Sequence, residues 1–296
     1  MRKILMLLML MVGLVVHAST TDYNVRDFGA KGDGKTLDHH AINAAIDSCV
    51  AHGGGRVVVP AGTYLCGSIR MKSHVELHLS AGAKILAAPA KMKAYDEAES
   101  WEGPAYKDGG HTYFKNSLIY AIGQEHVSIT GRGMIDGLGL TKKDTEKGGV
   151  VNGGNIGTGD KAIAFKLCRN ILIRDVTIYR GGHFGIIVTG MPGEPLRNIT
   201  LSNIQLQFRG GGRAELAKRE YREQGKNYPE AKFAKETPAY GLFARHVDGL
   251  EVNNVTFRTM KLEYRPAAML VDVKNESITN LKADLQKGAK LIVKKK

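Results

Sequence analysis

The sequence predicts an all-β solenoid carrying one helix near its start, and three observations predict it. The first is a nine-residue phrase that recurs with changed words. It reads Asn170-Ile-Leu-Ile-Arg-Asp-Val-Thr-Ile178, Asn198-Ile-Thr-Leu-Ser-Asn-Ile-Gln-Leu206 and Gly249-Leu-Glu-Val-Asn-Asn-Val-Thr-Phe257. A looser copy is His126-Val-Ser-Ile-Thr-Gly-Arg-Gly-Met134, and His74-Val-Glu-Leu-His-Leu79 is half a copy. Each phrase alternates apolar and polar residues at period two, breaks, and restarts, as a strand with one buried face does when it bends. Copies stand 28 residues apart at the closest (170 to 198) and 51 at the widest (198 to 249), a spacing at which each unit buries its apolar face by stacking on a neighbour. The second observation is a single amphipathic helical pattern. The third is composition: 36 glycines suit a turn-rich β chain.

Taken in order, the chain opens with Arg2 and Lys3 and an apolar run from Ile4 to Val16, followed by Val16-His17-Ala18. This reads as an export signal over 1–18, cleaved near Ala18, and the run is too short to span a bilayer. The expected location is therefore secreted or periplasmic. A short strand with Tyr23 then enters a Gly-rich loop ending at Gly34. A helix is expected over about 37–51, capped by Thr36 or Asp38, with Ala41, Ile42, Ala45, Ile46 and Cys49 as its apolar stripe. Gly53-Gly-Gly55 stops it, and Val57-Val-Val59 follows as a buried strand. A helix there makes sense as a cap over the open end of the stack.

Three segments break the rhythm: Ala90 to Tyr113, residues 138 to 160, and Gly210 to Glu236. Insertions between rungs of a solenoid tend to lie on one face, often the binding face, so these are expected to border any groove. No linker divides the chain, so one β-helix domain is expected over 19–290, with 291–296 a basic tail. Cys49, Cys66 and Cys168 cannot all pair; Cys49 and Cys66 could bridge, but their apolar settings favour free buried thiols. No Cys/His cluster has zinc spacing, and no metal or other cofactor is expected. The formal net charge of +13 favours anionic partners. An acidic polysaccharide is the partner expected of an exported solenoid, with no nucleic acid and a monomeric state.

The opening Tyr23-Asn-Val-Arg-Asp-Phe-Gly-Ala-Lys-Gly-Asp-Gly34, the segment Gly53-Gly-Gly-Arg-Val-Val-Val-Pro-Ala-Gly-Thr-Tyr64, and Gly131-Arg-Gly-Met-Ile-Asp-Gly137 resemble glycoside hydrolase family 28, the polygalacturonase-like enzymes. Gly210-Gly-Gly212 and Pro238 to His246 resemble its C-terminal rungs. The resemblance implies a single-stranded right-handed parallel β-helix of the pectin-lyase type with an N-terminal helical cap. It also implies hydrolysis of O-glycosyl bonds in pectic galacturonan with inversion. That reaction needs a carboxylic acid and a carboxylate roughly 6.5–9.5 Å apart, leaving room for the attacking water. In the family they come from an Asn-Thr-Asp or Asn-Arg-Asp rung and an Asp-Asp pair, with Gly-His-Gly and Arg-x-Lys motifs following.

None of Asp-Asp, Asn-Thr-Asp, Asn-Arg-Asp, Gly-His-Gly or Arg-Ile-Lys occurs in this sequence. The text passes at about Gly190 to Pro195 from rungs resembling those before the family's catalytic region to rungs resembling those after it. The simplest account is an internal loss of the catalytic coils. Thr158-Gly-Asp-Lys161 resembles the family's Thr-Gly-Asp-Asp with Lys161 in place of the second Asp, which makes Asp160 the candidate catalytic carboxylate. The other reading of Asp160 is a turn residue closing a Gly-rich loop. Gly182-His183-Phe-Gly185 resembles Gly-His-Gly with an insertion, so His183, with Arg180 and Lys161, is a candidate for substrate contact. Asp136 reads as a turn residue and Asp175 as a solvated rung residue. Asn170, Asn198, Asn203, Asn253 and Asn254 suit left-handed bends whose amides ladder between coils. Three functions stay open: a glycosidase acting through Asp160, an inactive remnant, and an acidic-glycan-binding module using the basic surface and the aromatics Trp101, Tyr106 and Tyr113.

Overall fold

The computed structural model describes residues 22–97, 114–140, 157–181, 184–189, 193, 195–208, 210–218 and 238–295. Its strands form parallel sheets wound as a β-helix. The first sheet stacks Tyr23–Asn24, Gly55–Val59, Val75–Leu79, Glu125–Gly131, Arg169–Arg174, Leu196–Ser202, Leu242–Asn253, Ala268–Thr279 and Ile292–Lys295 in that order. The second stacks Asp33–Leu37, Gly62–Cys66, Ala83–Ala87, Met134–Asp136, Thr177–Tyr179, Gln205–Phe208, Thr256–Thr259 and Lys282–Ala283. A third, of four strands, joins Ile69–Arg70, Ser117–Ile122, Lys161–Lys166 and Phe184–Thr189.

The recurrent phrase encodes one side of a coil. Its first position is left-handed in every copy: φ is 53° at His126, 54° at Asn170, 55° at Asn198 and 83° at Gly249. Its sixth position is left-handed too, with φ of 101° at Gly131, 67° at Asp175, 54° at Asn203 and 53° at Asn254. A left-handed residue costs roughly 1–2 kcal/mol for most side chains, and Asn, Asp and Gly bear it best. This accounts for the residue types at those two positions. Gly131 has a second reason, since a Cβ there would sit 2.1 Å from the Leu79 carbonyl oxygen.

Between the bends, alternate residues point inward and stack coil on coil. Val57, Leu77, Ile129, Ile173, Leu201, Val252 and Ile278 are in register along the first sheet. Tyr64, Ile85, Ile135, Ile178, Leu206, Phe257 and Ala283 are in register along the second. Burying such a side chain is worth about 1.5–3 kcal/mol, so these columns supply the main stabilisation. On the outside, Asn203 Nδ2 donates to Asp175 Oδ1 (2.6 Å), Asn254 Nδ2 to Asn203 Oδ1 (2.8 Å) and Asn280 Nδ2 to Asn254 Oδ1 (2.7 Å). Asp175 is thus the first member of an amide ladder, and it also meets Arg174 at 3.1 Å.

The helix runs from His39 to Ala51, with Ile42, Ala45, Ile46 and Cys49 fully buried over the first coils. Asp38 is its N-cap residue, but its side chain makes no capping bond. The carboxylate accepts instead from the backbone N–H groups of Lys31 (2.7 Å) and Gly32 (2.9 Å), pinning the Gly-rich loop. All three cysteines are free and buried. The sequence sets 291–296 aside as a tail, whereas Ile292–Lys295 forms the last strand, paired with Ala268–Val271. The apolar Ile292 and Val293, in register with Ala268 and Met269, plus an ion pair from Lys294 to Glu276 at 2.6 Å, explain the difference.

Two of the three sheets pass the 190–195 step without interruption. Ile171 and Ile173 pair with Ile199 and Leu201, which pair in turn with Leu250 and Val252. The third sheet ends at Phe184–Thr189, and the strand of the next coil, from Leu242, continues onto Ala268 instead. Asn203 tests the ladder. Asn203→Val should lower stability by about 2 kcal/mol through left-handed strain and lost hydrogen bonds. Asn203→Gly should cost less than half of that, both read from urea unfolding.

Candidate functional site

All three rhythm-breaking segments leave the stack at one corner, where the chain departs from the second sheet. The first lies between Ala83–Ala87 and Ser117–Ile122, the second between Met134–Asp136 and Lys161–Lys166, and the third between Gln205–Phe208 and the strand beginning at Leu242. Much of each (98–113, 141–156, 219–237) is outside the described residues, as are Trp101, Tyr106 and Tyr113. The corner itself is described, and four ion-paired carboxylates stand along it.

Asp160 precedes the third-sheet strand, its N–H bonded to the Asn116 carbonyl at 3.2 Å. Its carboxylate holds the ammonium of Lys161, which is wholly buried, and Asn116 Nδ2 approaches the same oxygen at 3.4 Å. Lys161, at the position where the resemblance would set a second Asp, thus forms an ion pair with Asp160. Ser117, which pairs in register with Lys161, is buried with its hydroxyl unsatisfied among the described residues.

Arg180 lies just beyond the second-sheet strand Thr177–Tyr179 in a left-handed conformation, φ 55°. Its guanidinium forks onto Asp136, Nε to Oδ1 at 2.8 Å and a terminal nitrogen to Oδ2 at 2.5 Å, and stacks 4.5 Å from the Tyr179 ring. Asp136 is buried and also accepts from the Leu138 N–H at 3.1 Å, which is the turn role expected of it. His183 lies outside the described residues.

Two further pairs escape sequence reasoning. Arg70 forks onto Asp96 with two 2.7 Å bonds, and the Tyr120 hydroxyl donates to the same carboxylate at 2.7 Å. Burial pushes the Asp96 carboxyl up, but the Arg70 and Tyr120 hydrogen bonds outweigh it and hold it below its ordinary value. At the far end of the corner, Arg265 forks onto the fully buried Glu263, which also accepts the Gly212 N–H at 3.1 Å. Glu263 too is held below the usual carboxylate range, its burial cost exceeded by the bonds from Arg265 and Gly212. Only a coil-length separation of 26 and 24 residues links Asp96 to Arg70 and Tyr120, and irregular excursions hide that interval in the sequence.

Beside Asp96, the helix residue His39 is buried with its Nδ1 unpartnered among the described residues, its ring centroid 4.0 Å from that of His40. Burial, with His40 adding repulsion, holds His39 down to about 4 from 6.5. The folded state therefore binds fewer protons than the unfolded chain. Its contribution is intact above pH 6.5 and is lost as the pH falls towards 4. Stability should drop by about 1–3 kcal/mol across that window, and His39→Gln should flatten the profile in pH-dependent urea melts. The buried pair gives a second expectation. Asp160→Asn strands the Lys161 ammonium and should cost about 2–4 kcal/mol, more than Lys161→Met, which removes the charge and keeps the stem.

The chain matches the family described as rhamnogalacturonase A/epimerase, pectate lyase-like, over residues 23–215. It is 34% identical over 131 residues to the exo-poly-alpha-D-galacturonosidase of Dickeya chrysanthemi, covering 42% of this chain and 21% of that protein. Over 64 residues it is 48% identical to the mannuronan C5-epimerase AlgE2 of Azotobacter vinelandii, 19% of this chain and 6% of that one. It therefore spans about a fifth or less of the length of these curated relatives. Among solved structures, a candidate glycosyl hydrolase from Parabacteroides merdae superposes with a TM-score of 0.61 at 22% identity, covering 89% of this chain and 96% of that one. The A-module of the Azotobacter vinelandii epimerase AlgE6 superposes at 0.54 with 19% identity, covering 89% and 56%. These two share its fold. The right-handed parallel β-helix, the glycoside hydrolase family 28 motifs and the match over 23–215 agree, and the chain belongs to the rhamnogalacturonase A/epimerase, pectate lyase-like family.

Proposed function

We propose that this protein binds acidic polysaccharide of the pectic type as a polygalacturonase-like β-helix, with hydrolysis severely impaired. The observation that carries the reading is that four described carboxylates at the excursion corner are each paired with a cation: Asp96 with Arg70, Asp136 with Arg180, Asp160 with Lys161 and Glu263 with Arg265. A general acid needs its carboxyl raised towards the working pH, and a general base needs a carboxylate open to water. An ion pair with Arg or Lys opposes the first and obstructs the second.

A net charge of +13 supports attraction to a polyanion. The names of the relatives, a galacturonosidase and mannuronan epimerases, support a polymer of acidic sugars as the ligand. Within the corner, Lys161 is wholly buried, so contact with sugar carboxylates falls to the half-exposed Arg70 and Arg180, with His183 as a further candidate. A secreted or periplasmic location, as residues 1–18 suggest, would bring such a protein to extracellular glycan.

Polygalacturonate should co-sediment with the protein at low salt and release it as ionic strength rises past a Debye length of about 8 Å, near 0.15 M. Reducing-sugar release from the same polymer should stay at background, and Asp160→Asn should leave it there. Turnover by the wild type that disappears in Asp160→Asn would overturn this reading in favour of an active glycosidase.

A further inference from the structure

Away from the excursion corner, the bend between the first and second sheets carries a groove of about 470 Å³ spanning four successive coils. Arg56, Glu76, His78, Thr130, Arg132 and Arg174 line it. Arg56 is engaged by Asp22 at 2.6 Å and Arg174 by Asp175 at 3.1 Å. Arg132 is exposed and has no hydrogen-bond or ion-pair partner among the described residues, so of the three guanidinium groups lining the groove it alone is unengaged there.

The other polar groups are held in place by a relay. The Thr130 hydroxyl, on a residue only 2% exposed, donates to Glu76 Oε1 at 2.5 Å and stands 2.9 Å from His78 Nδ1. An ionised carboxylate only accepts, so the hydroxyl proton goes to Glu76 and the hydroxyl lone pair takes the His78 Nδ1–H. That bond fixes both the ring orientation and the tautomer, leaving Nε2 as the free polar atom of a side chain that is 29% exposed and lines the groove. The groove thus offers a fixed imidazole nitrogen, suited to a sugar hydroxyl, beside an unpaired guanidinium, suited to a carboxylate.

We infer that this groove is a second carbohydrate subsite, taking one hexuronate residue with its carboxylate on Arg132 and a ring hydroxyl on His78. The inference rests on the acidic-glycan reading above and adds to it a location remote from the corner. Thr130 and Glu76 act as positioning residues through His78.

Trigalacturonate, titrated into the isotope-labelled full chain and followed by amide shifts, tests it. Amides of 76–78 and 130–132 should move on titration. Arg132→Ala should weaken the affinity about tenfold, and His78→Gln about three- to fivefold, with unchanged thermal midpoints showing that both variants fold. Shifts confined to other residues, or Arg132→Ala within twofold of wild type, would overturn the subsite while polygalacturonate co-sedimentation still upholds the broader reading. A wild type that binds neither the trimer nor the polymer would overturn both.

Discussion

Everything in this structure depends on two left-handed residues per coil. They bend the chain at two fixed points of each recurrent phrase, setting where it turns and therefore which residues of each coil lie in register. Asn170 and Asp175, Asn198 and Asn203, and Gly249 and Asn254 occupy the same pair of positions in three successive coils. Because the bends repeat, the inward side chains fall into columns, and the outward amides bond from coil to coil. The backbone constraint costs free energy locally, and the stacked apolar columns offset it.

The same constraint explains how the stack survives the step from 189 to 196. A coil that keeps its two bends can pair with any other coil that keeps them, whatever separates them in sequence. The first two sheets therefore run through that step in register, and the ladder from Asp175 through Asn203 to Asn254 crosses it. The third sheet lacks this protection. Two of its four strands, Ser117–Ile122 and Lys161–Lys166, follow excursions of different lengths, and its ladder ends at Phe184–Thr189.

The proposed glycan site lies where the backbone is least regular. At the excursion corner, carboxylates and cations of neighbouring coils are drawn into forked or buried pairs, which supports the proposal of polyanion attraction over proton transfer. At the bend between the first and second sheets, the Glu76–Thr130–His78 relay is ordered by strand register, with His78 facing Thr130. Chemical versatility and structural order thus occupy different sides of one stack.

The sequence by itself determined the solenoid, the helical cap, the free buried thiols and the bend residues, because each depends on local conformation or on a period-two pattern written in adjacent positions. The roles of Asp136 as a turn residue and of the asparagines as a ladder followed for the same reason. Tertiary structure alone decided that Asp38 pins a loop rather than capping its helix, that residues 292–295 complete a rung, and that Asp160 is neutralised by a buried Lys161. It alone joined Arg70, Asp96 and Tyr120, and Thr130 with Glu76 and His78. Those contacts form between coils, across intervals set by excursions of irregular length, and no periodicity in the chain records which side chains meet.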